Sequence, residues 1–289
     1  MALTIGIIGG SGLYAIDGLA DVREVEVETP FGAPSDVIVA GRLGAARLLF
    51  LPRHGRGHRL LPSELPFRAN IWALKKLGAE RIIAVSAVGS LREVIAPGHL
   101  VVPDQFIDRT FDRHATFFRN GIVAHVGFGD PVCPVLSAAL VAGARRLGAT
   151  VHAGGTYVCM EGPQFSTRAE SELYRGWGAA IIGMTNLQEA KLAREAELCF
   201  ATLALATDYD CWKQDAHEVA IADVLAVLQA NVALATRVVH DVVPTLDPTP
   251  GCGCGRALEQ AIITDRALIP ARVKRDLAPI IGRYVAEDA

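Results

Sequence analysis

The chain has 289 residues and a formal net charge of −3 built from both signs, so it lacks the basic surface of a nucleic-acid-binding protein. Hydrophobic residues make up 51% of it, enough for a large core and a buried subunit interface. No apolar run approaches the ~18 residues that span a bilayer, and the first four residues lack the basic segment of a signal peptide. We therefore expect a cytoplasmic protein that binds neither nucleic acid nor membrane.

The six cysteines are scattered along the chain, apart from Cys252-Gly253-Cys254. No CxxC pair and no Cys/His spacing typical of zinc ligands occurs, so we expect no bound metal. Cys252 and Cys254 lie in a stretch rich in Gly and Pro, where two reduced thiols without consequence are the first interpretation. A strained, labile disulfide between them is the alternative.

The first apolar segment, Thr4–Ile8, is a predicted strand that runs into Gly9-Gly10-Ser11-Gly12. Glycines permit a turn whose backbone N–H groups converge on an anion, and Ser11 adds a hydroxyl group. The loop also fits the dinucleotide pattern G-x-G-x-x-A, but the helix which that pattern requires does not follow. We favour a phosphate or ribose loop over a dinucleotide site, with a plain strand-to-turn junction as an equal alternative.

A second apolar strand, Ala46–Leu51, is followed by a loop that places Arg53, His54, Arg56 and His58 between glycines. This composition predicts a cationic, flexible loop. The planar fork of an arginine suits phosphate oxygens, so Arg53 is a candidate phosphate ligand. The alternative is a solvated basic loop, but its position after an apolar strand favours function.

The rest of the chain alternates between strand and helix periodicities. Predicted helices cover residues 66–77, 134–147, 167–177, 187–197 and 221–242, with a last helix from about residue 270. Predicted strands cover residues 81–88, 100–102, 151–160, 179–183 and 199–206. Residues 104–112 are a predicted polar connection and 244–255 a linker. The alternation predicts a single α/β domain over residues 1–289 around a central sheet.

The strand over residues 199–206 ends in two aspartates, Asp208 and Asp210. Residues i and i+2 of an extended chain point to one face, and ligands of open α/β sheets bind beyond the carboxyl ends of the strands. Two such carboxylates can share a proton, and together they match the N7 acceptor and 6-amino donor of adenine. The alternative is that Asp208 caps the next segment and Asp210 is solvated.

Phe165 lies in the segment between the strand at 151–160 and the helix at 167–177. A phenylalanine there can stack on a planar base, although a lone phenylalanine is more often part of the core.

Several stretches, taken together and in order, resemble the 5′-methylthioadenosine phosphorylase branch of the trimeric purine nucleoside phosphorylase family. The resemblance covers about residues 4 to 243. The matching stretches are Gly9-Gly10-Ser11-Gly12-Leu13, Arg53-His54-Gly55-Arg56, Ala69-Asn70-Ile71-Trp72-Ala73-Leu74, Gly89-Ser90-Leu91-Arg92-Glu93, Asp104-Gln105-Phe106-Ile107-Asp108-Arg109-Thr110, Glu161-Gly162-Pro163, Phe165-Ser166 and Ala206-Thr207-Asp208-Tyr209-Asp210-Cys211-Trp212.

This resemblance implies a mixed, mostly parallel central sheet flanked by helices, and it assigns roles to individual residues. The implied phosphate site consists of Ser11, Arg53, His54, Ser86, Ala87 through its backbone, and Thr185. The implied nucleoside site consists of Met184 on the ribose, Phe165 on the purine face, and Asp208 and Asp210 on the purine edge. Specificity is implied at Ser166 and Ile221, with a 5′-methylthio pocket of Ile221, Val224 and Leu225, and with His125 entering from a neighbouring subunit.

The resemblance further implies phosphorolysis of 5′-methylthioadenosine by a homo-oligomer, a trimer or a dimer of trimers. Inorganic phosphate is then a co-substrate, and neither a cofactor nor a metal is needed. One departure from the family pattern is Met184-Thr185-Asn186-Leu187-Gln188-Glu189, where Asn186 is expected to bring donor and acceptor groups close to the phosphate or the base.

Three alternatives remain at this stage. A phosphorylase for 6-oxopurine nucleosides would present an amide donor to O6, which the aspartate pair argues against. A non-catalytic nucleoside-binding module would not need Arg53 together with hydroxyl groups at several strand ends, and phosphate dependence separates it from an enzyme. A dinucleotide oxidoreductase lacks the helix that its loop requires.

Overall fold

The computed structural model describes residues 2–10, 18–213, 221–249 and 251–286, with only the backbone for residues 221–228. Predicted site residue Ser11 lies outside the described residues. So do the side chains of Ile221, Val224 and Leu225, although their backbone is helical.

Eleven described strands form one mixed sheet. Six of its ten strand pairs are parallel, so the expectation of a mostly parallel sheet is confirmed. The strands are β1 (Thr4–Gly9), β2 (Ala20–Val25), β3 (Ile38–Leu43), β4 (Ala46–Pro52), β5 (Arg81–Ser90), β6 (Leu100–Val102), β7 (Gln105–Arg109), β8 (Val151–Ala153), β9 (Thr156–Met160), β10 (Ile181–Gly183) and β11 (Cys199–Asp208).

Strand β5 is the centre of this sheet because it pairs with three other strands. Its first half is parallel to β1, its whole length is parallel to β11, and its last residues pair antiparallel with β10. Both β5 and β11 are apolar and almost completely buried, as expected for strands covered on both faces. Their carboxyl ends therefore meet at the middle of the sheet.

Helices cover the sheet on both faces and enclose two large apolar clusters. The helices are α1 (Phe67–Lys76), α2 (Pro134–Arg146), α3 (Arg168–Gly176), α4 (Asn186–Glu195), α5 (Ile221–Val242), α6 (Ala271–Asp276) and α7 (Ala278–Ile281). The start of α3 follows from its sequence, because Thr167 caps the helix and Glu170 bonds back to Thr167 in a capping box.

Three strands were missed by the sequence patterns. The residues of β2 are mostly exposed, and β7, which was predicted as a polar connection, is a half-exposed strand paired only with β9. Strand β3 is buried and lay in a stretch to which no element was assigned. The extended segment predicted over 151–160 is two strands, separated by Gly154 and Gly155, which both have positive φ.

The C-terminal segment packs on the same cores as the rest of the chain. Val243, Leu246 and Cys254 belong to one apolar cluster, so the predicted linker is partly buried. Leu258 and Ile281 belong to the other cluster. A search of the described part of the chain finds no helix that is both long and apolar enough to cross a membrane.

Candidate active site

The carboxyl ends of β5 and β11 meet at Gly89. Asp208 is the register partner of Gly89, next to a β-bulge that begins after Ala206. A Cβ atom on Gly89 would lie 3.1 Å from Oδ1 of Asp208 and 3.4 Å from Cβ of Asp210. Glycine at this position therefore lets both aspartates lie against the end of β5.

The two aspartates are neighbours, but not in the way the sequence predicted. Strand β11 ends at Asp208, and Asp210 has a φ of +51° instead of an extended conformation. The turn is closed by a 2.7 Å hydrogen bond from the Asp210 N–H to Asp208 Oδ1. The prediction of two carboxylates at i and i+2 of one extended strand is thus wrong, because the chain turns after the first of them.

The surroundings of the two carboxylates differ. Asp208 Oδ2 accepts a 2.7 Å hydrogen bond from the Thr207 hydroxyl group. Burial raises the pKa of Asp210 above its ordinary value; an interaction with the Ser171 side chain opposes this shift and the nearby charge of Asp208 adds to it. Asp210 Oδ2 is buried without a hydrogen-bond partner among the described residues. Asp210 therefore favours its protonated form more than an exposed aspartate does.

Arg53 lies at the end of β4 and is 4% exposed. Its Nε and Nη2 atoms donate to the two carboxylate oxygens of Glu189 at 2.5 and 3.0 Å. Its Nη1 donates to the Val85 carbonyl at 2.8 Å, and Nη2 also approaches the Ile8 carbonyl at 3.4 Å. Burial acts to lower the pKa of Arg53, but the Glu189 carboxylate outweighs it and raises the pKa.

This arrangement corrects the expectation that the fork of Arg53 is free for phosphate. The fork faces Glu189, and of the five guanidinium N–H groups only one on Nη1 has no partner among the described contacts. Glu189, which the sequence analysis did not single out, therefore fixes the position of the guanidinium.

Asn186 does not face a ligand but lies in the interior, with no exposed surface. Its Nδ2 donates to Glu189 Oε2 at 3.1 Å, and its Oδ1 accepts from the Thr202 hydroxyl group at 2.7 Å. The expectation that Asn186 adds groups next to the phosphate or the base is therefore wrong. It belongs to a buried network that orients Glu189 and, through it, Arg53.

The loop after β4 is less cationic and more fixed than predicted. Burial, together with Arg53 and His58, lowers the pKa of His54 to about 4, so its ring is neutral at pH 7. Its Nδ1 lies 2.9 Å from the Leu60 carbonyl, which can only accept, so Nδ1 carries the proton and Nε2 is an acceptor. Arg56 forms ion pairs with Glu24 and Asp36, which hold the loop.

The remaining predicted phosphate residues lie along β5 and before α4. Ser86 is buried and its hydroxyl lies 3.5 Å from the Tyr157 hydroxyl, whereas Ala87 is exposed within an otherwise buried strand. Thr185 is buried at the N-cap of α4, but its side chain does not cap the helix. Because β10 is antiparallel to the end of β5, the chain after Gly183 returns along β5 towards Ser86.

Met184 is held by a residue that the sequence analysis missed. The side chain of Arg113 is 1% exposed, pairs with Glu161 at 3.1 Å and donates to the backbone carbonyl of Met184. Arg113 also donates to Gln188 at 3.0 Å on α4. Arg113 thus links Glu161, which precedes Met184 in the chain, to Gln188, which follows it. The sequence gave no signal for Arg113, because no apolar periodicity surrounds it.

Phe165 is 81% exposed, which rules out the interpretation as a core residue. The adjacent Ser166 is half-buried, and its carbonyl accepts from the Cys211 thiol at 3.2 Å. The loop that carries Phe165 is therefore attached to the turn that carries Asp210. This brings Phe165 and Ser166 to the same end of the sheet as the aspartates.

His125 is exposed, and its backbone N–H donates to the Ala261 carbonyl at 2.9 Å. Within the part of the chain that the structure describes, no hydrogen bond joins its ring to the strand ends of β5 and β11. An opening of about 580 Å³ beside α2 and another of about 380 Å³ beside α1 contain none of the predicted site residues. The candidate site is thus defined by the strand ends and not by either cleft.

The described residues include one group of at least three side chains able to hold a metal ion, and it is not at these strand ends. It contains Cys199, the first residue of β11, whereas Asp208 is the last. At ~3.3 Å per residue the two ends of this strand are about 30 Å apart.

The chain matches a family and many of its members along most of its length. The sequence model of the phosphorylase superfamily matches residues 4–244. The S-methyl-5′-thioadenosine phosphorylase of Geobacter sulfurreducens is 60% identical over 286 residues, which are 99% of this chain and 100% of that protein. The enzyme of the same name from Koribacter versatilis is 58% identical, covering 99% of this chain and 98% of the relative.

Solved structures of methylthioadenosine phosphorylases are also similar to this chain. A methylthioadenosine phosphorylase sourced from an Antarctic soil metagenomic library superposes with a TM-score of 0.93 at 48% identity, covering 96% of this chain and 99% of that one. The methylthioadenosine phosphorylase from Schistosoma mansoni in complex with adenine gives a TM-score of 0.82 at 38% identity, covering 89% and 97% of the two chains.

The buried network that runs from Arg53 through Glu189 and Asn186 to Thr202 can be tested at Thr202. Thr202→Val removes the hydroxyl group that donates to Asn186 while keeping the shape of the side chain. An unpaired buried acceptor costs about 1–3 kcal/mol, so we expect the free energy of unfolding to fall by that amount in urea titrations. Thr236→Val is the matched control, because the Thr236 hydroxyl bonds only within its own helix, and it should change stability by about 0.5 kcal/mol or less. Equal stabilities of the two variants would contradict the network.

Proposed function

The chain belongs to the phosphorylase superfamily, and we propose that it catalyses the phosphorolysis of 5′-methylthioadenosine, giving adenine and 5-methylthioribose 1-phosphate. The observation that carries this proposal is the end-to-end similarity to relatives that are S-methyl-5′-thioadenosine phosphorylases, at 58–60% identity. The activity makes the protein a pentosyltransferase of purine and methionine salvage.

Phosphate binds at the strand ends around Arg53. Because Arg53 and Glu189 neutralise each other, the arginine supplies one directed N–H group on Nη1, and the phosphate charge needs other partners. The partners are the hydroxyl group of Thr185, which does not cap α4, the Ser86 hydroxyl group, the Ala87 backbone and the N-terminus of α4. His54 is neutral and accepts at Nε2, so it suits the proton of a hydrogen phosphate. The resemblance to the family also assigns the Ser11 hydroxyl group to this phosphate site.

The purine edge is bound by Asp208 and Asp210. Phosphorolysis proceeds through a sugar cation, and the departing purine gains negative charge, so a proton or hydrogen bond delivered to N7 stabilises it. The raised pKa of Asp210 supports a pair that shares one proton. The pair keeps one negative charge, and its unprotonated oxygen atoms accept from the 6-amino group, which favours adenine over a 6-oxopurine. Bound phosphate stabilises the sugar cation and attacks the anomeric carbon, and no metal takes part.

The other contacts set the remaining specificity. Met184 lies on the ribose and the exposed ring of Phe165 covers the purine face, while Ser166 tunes the choice of substrate. Ile221, Val224 and Leu225 form an apolar pocket that favours a methylthio group over a hydroxyl group, since the methylthio group gains by leaving water. Adenosine is therefore a poorer substrate, but not an excluded one.

The catalytic form is a homo-oligomer, a trimer or a dimer of trimers, in which His125 completes the site of a neighbouring subunit. Two observations support this arrangement: His125 is exposed, and among the described residues no hydrogen bond joins its ring to the strand ends of its own chain.

The reaction is tested by following base release with and without phosphate. The purified protein should release adenine from 5′-methylthioadenosine only when phosphate is present, with 5-methylthioribose 1-phosphate formed in equal amount. Methylthioinosine, inosine and adenosine serve as comparison substrates and should react more slowly. Adenine release that is independent of phosphate would indicate a hydrolase, and binding without release a non-catalytic module, and either result would reject the proposal.

Asp210→Asn tests the aspartate pair. Losing one charge-assisted contact costs about 1.5–3 kcal/mol, so kcat/KM for 5′-methylthioadenosine should fall ten- to a hundred-fold or more. The new amide can donate to a 6-oxo group, so methylthioinosine should lose less, and the ratio of the two kcat/KM values should move towards the 6-oxopurine. Asp130→Asn, the same change at an exposed position, is the control. A normally folded Asp210→Asn protein with the parental ratio and rates would refute the role of the pair.

Assembly is tested by sedimentation velocity and activity on the same dilution series. Specific activity should fall as the oligomer dissociates and return when the sample is concentrated, because a separate subunit lacks the neighbouring His125. A monomer that keeps full activity at the assay concentration would contradict the shared site.

A further inference from the structure

Four of the six cysteines, far apart in the sequence, meet in one cluster. The sulfur atoms of this four-cysteine cluster all lie within 4.8 Å of one another, and the cluster consists of Cys133, Cys199, Cys252 and Cys254. Three of the four residues are buried and Cys252 is half-buried. Such a gathering of thiols inside a protein is typical of a metal site or of disulfides.

Rigid elements place the first two cysteines. Cys133 is the N-cap residue of α2, and Cys199 is the first residue of β11. A 2.8 Å hydrogen bond from the Cys133 N–H to the Phe200 carbonyl holds these two elements together. Backbone contacts therefore bring these two residues next to each other.

The other two cysteines come from the loop after α5. Cys252 approaches Cys199 with a sulfur–sulfur distance of 3.4 Å, and Cys254 begins a short 3-10 turn and is buried. In tetrahedral zinc sites with Zn–S bonds of ~2.3 Å, the sulfur atoms are about 3.8 Å apart. The sulfur–sulfur distances in the cluster include one of 3.4 Å and none above 4.8 Å. The sulfur atoms therefore need to move only slightly to surround a zinc ion.

We propose that the four-cysteine cluster binds a structural zinc ion. Four thiolates in a tetrahedral arrangement are ligands that select zinc among the common divalent ions. The four cysteines fill all four coordination positions, so the site is closed and offers no open position for a substrate.

Arg81 supplies a matching positive charge. A zinc ion with four thiolates carries a net charge of −2, which needs a counter-charge in the interior. Arg81 is the register partner of Cys199 on β5 and is 2% exposed. It donates to the Asp247 carbonyl in the loop that leads to Cys252, and its Nε atom has no partner among the described residues.

The ion would join the segment after α5 to the sheet. Cys252 and Cys254 lie beyond the residues that the superfamily model matches, whereas Cys133 and Cys199 lie within them. The segment that follows contributes Leu258 to a core cluster, and its Ala261 carbonyl holds the backbone of His125. The zinc site therefore stabilises the fold, and its distance from Asp208 separates it from the reaction.

The local spacing of the cysteines in the sequence gives no sign of this zinc site. Each pair of ligands in a zinc finger or ribbon is close in sequence, and that signal is absent here. Ligands that come from a helix cap, a strand and a distant loop leave no such spacing, so only the folded chain brings them together.

The test is the metal content of the whole protein, purified under reducing conditions without chelators and measured by mass spectrometry of the elements. We expect about one zinc per chain, because one closed site takes one ion. Cys252→Ser and Cys254→Ser should each lower the content to a small fraction of that value. Cys211→Ser is the matched control, since Cys211 lies outside the cluster, and it should keep the parental zinc content.

Two further measurements on the unaltered chain keep the test decisive if a variant fails to fold. Removal of the ion with a chelator should lower Tm, and added zinc should restore it; cobalt added to the metal-free protein should give the absorption of a tetrahedral thiolate site. A metal-free protein whose six thiols all react in denaturant, or one that lacks thiols in pairs because of disulfides, overturns the proposal. Iron in place of zinc overturns the assignment of the ion.

Discussion

The buried ion pair between Arg53 and Glu189 is the interaction on which the candidate site depends. It joins the end of β4 to helix α4, and the guanidinium also bonds to the carbonyls of β1 and β5. Burying two charges is costly, and removing one partner of such a pair typically costs about 3–5 kcal/mol because the other charge is left unpaired. Four elements of the sheet end are thereby held in one geometry.

The same pair limits what Arg53 can do chemically. A guanidinium whose fork already holds a carboxylate cannot also bind a phosphate through two parallel bonds. In the proposed phosphate site the anion would therefore be shared among an N–H group, hydroxyl groups and the start of α4, each contributing a directed dipole instead of a full charge. Directed dipoles in place of a full charge would bind phosphate without trapping it, which suits the proposed role of phosphate as a co-substrate that reacts and leaves as part of the product.

Much of the fold was predictable because apolar residues recur at strand or helix spacing in its central strands and long helices. The ends of β11 and α5 and the cap of α3 were within a few residues of prediction. Strands β2 and β7 were missed because exposed or half-exposed strands show no such period.

In the site, the motifs pointed to Arg53 and the aspartates. The partners Glu189, Asn186 and Arg113 are fixed by contacts between distant segments, which no local pattern encodes.

Strand β11 begins at Cys199 in the four-cysteine cluster and ends at Asp208 in the candidate active site. Its pairing with β5 is continuous from Cys199 to Ala206, and beyond a bulge Asp208 lies beside Gly89. Because the two ends are about 30 Å apart and share no side-chain partner among the described residues, changes at the cysteines and at the aspartates should combine additively in stability. Loss of the cluster should therefore loosen the C-terminal segment without altering the choice between a 6-amino and a 6-oxo base, which we assign to the aspartate pair.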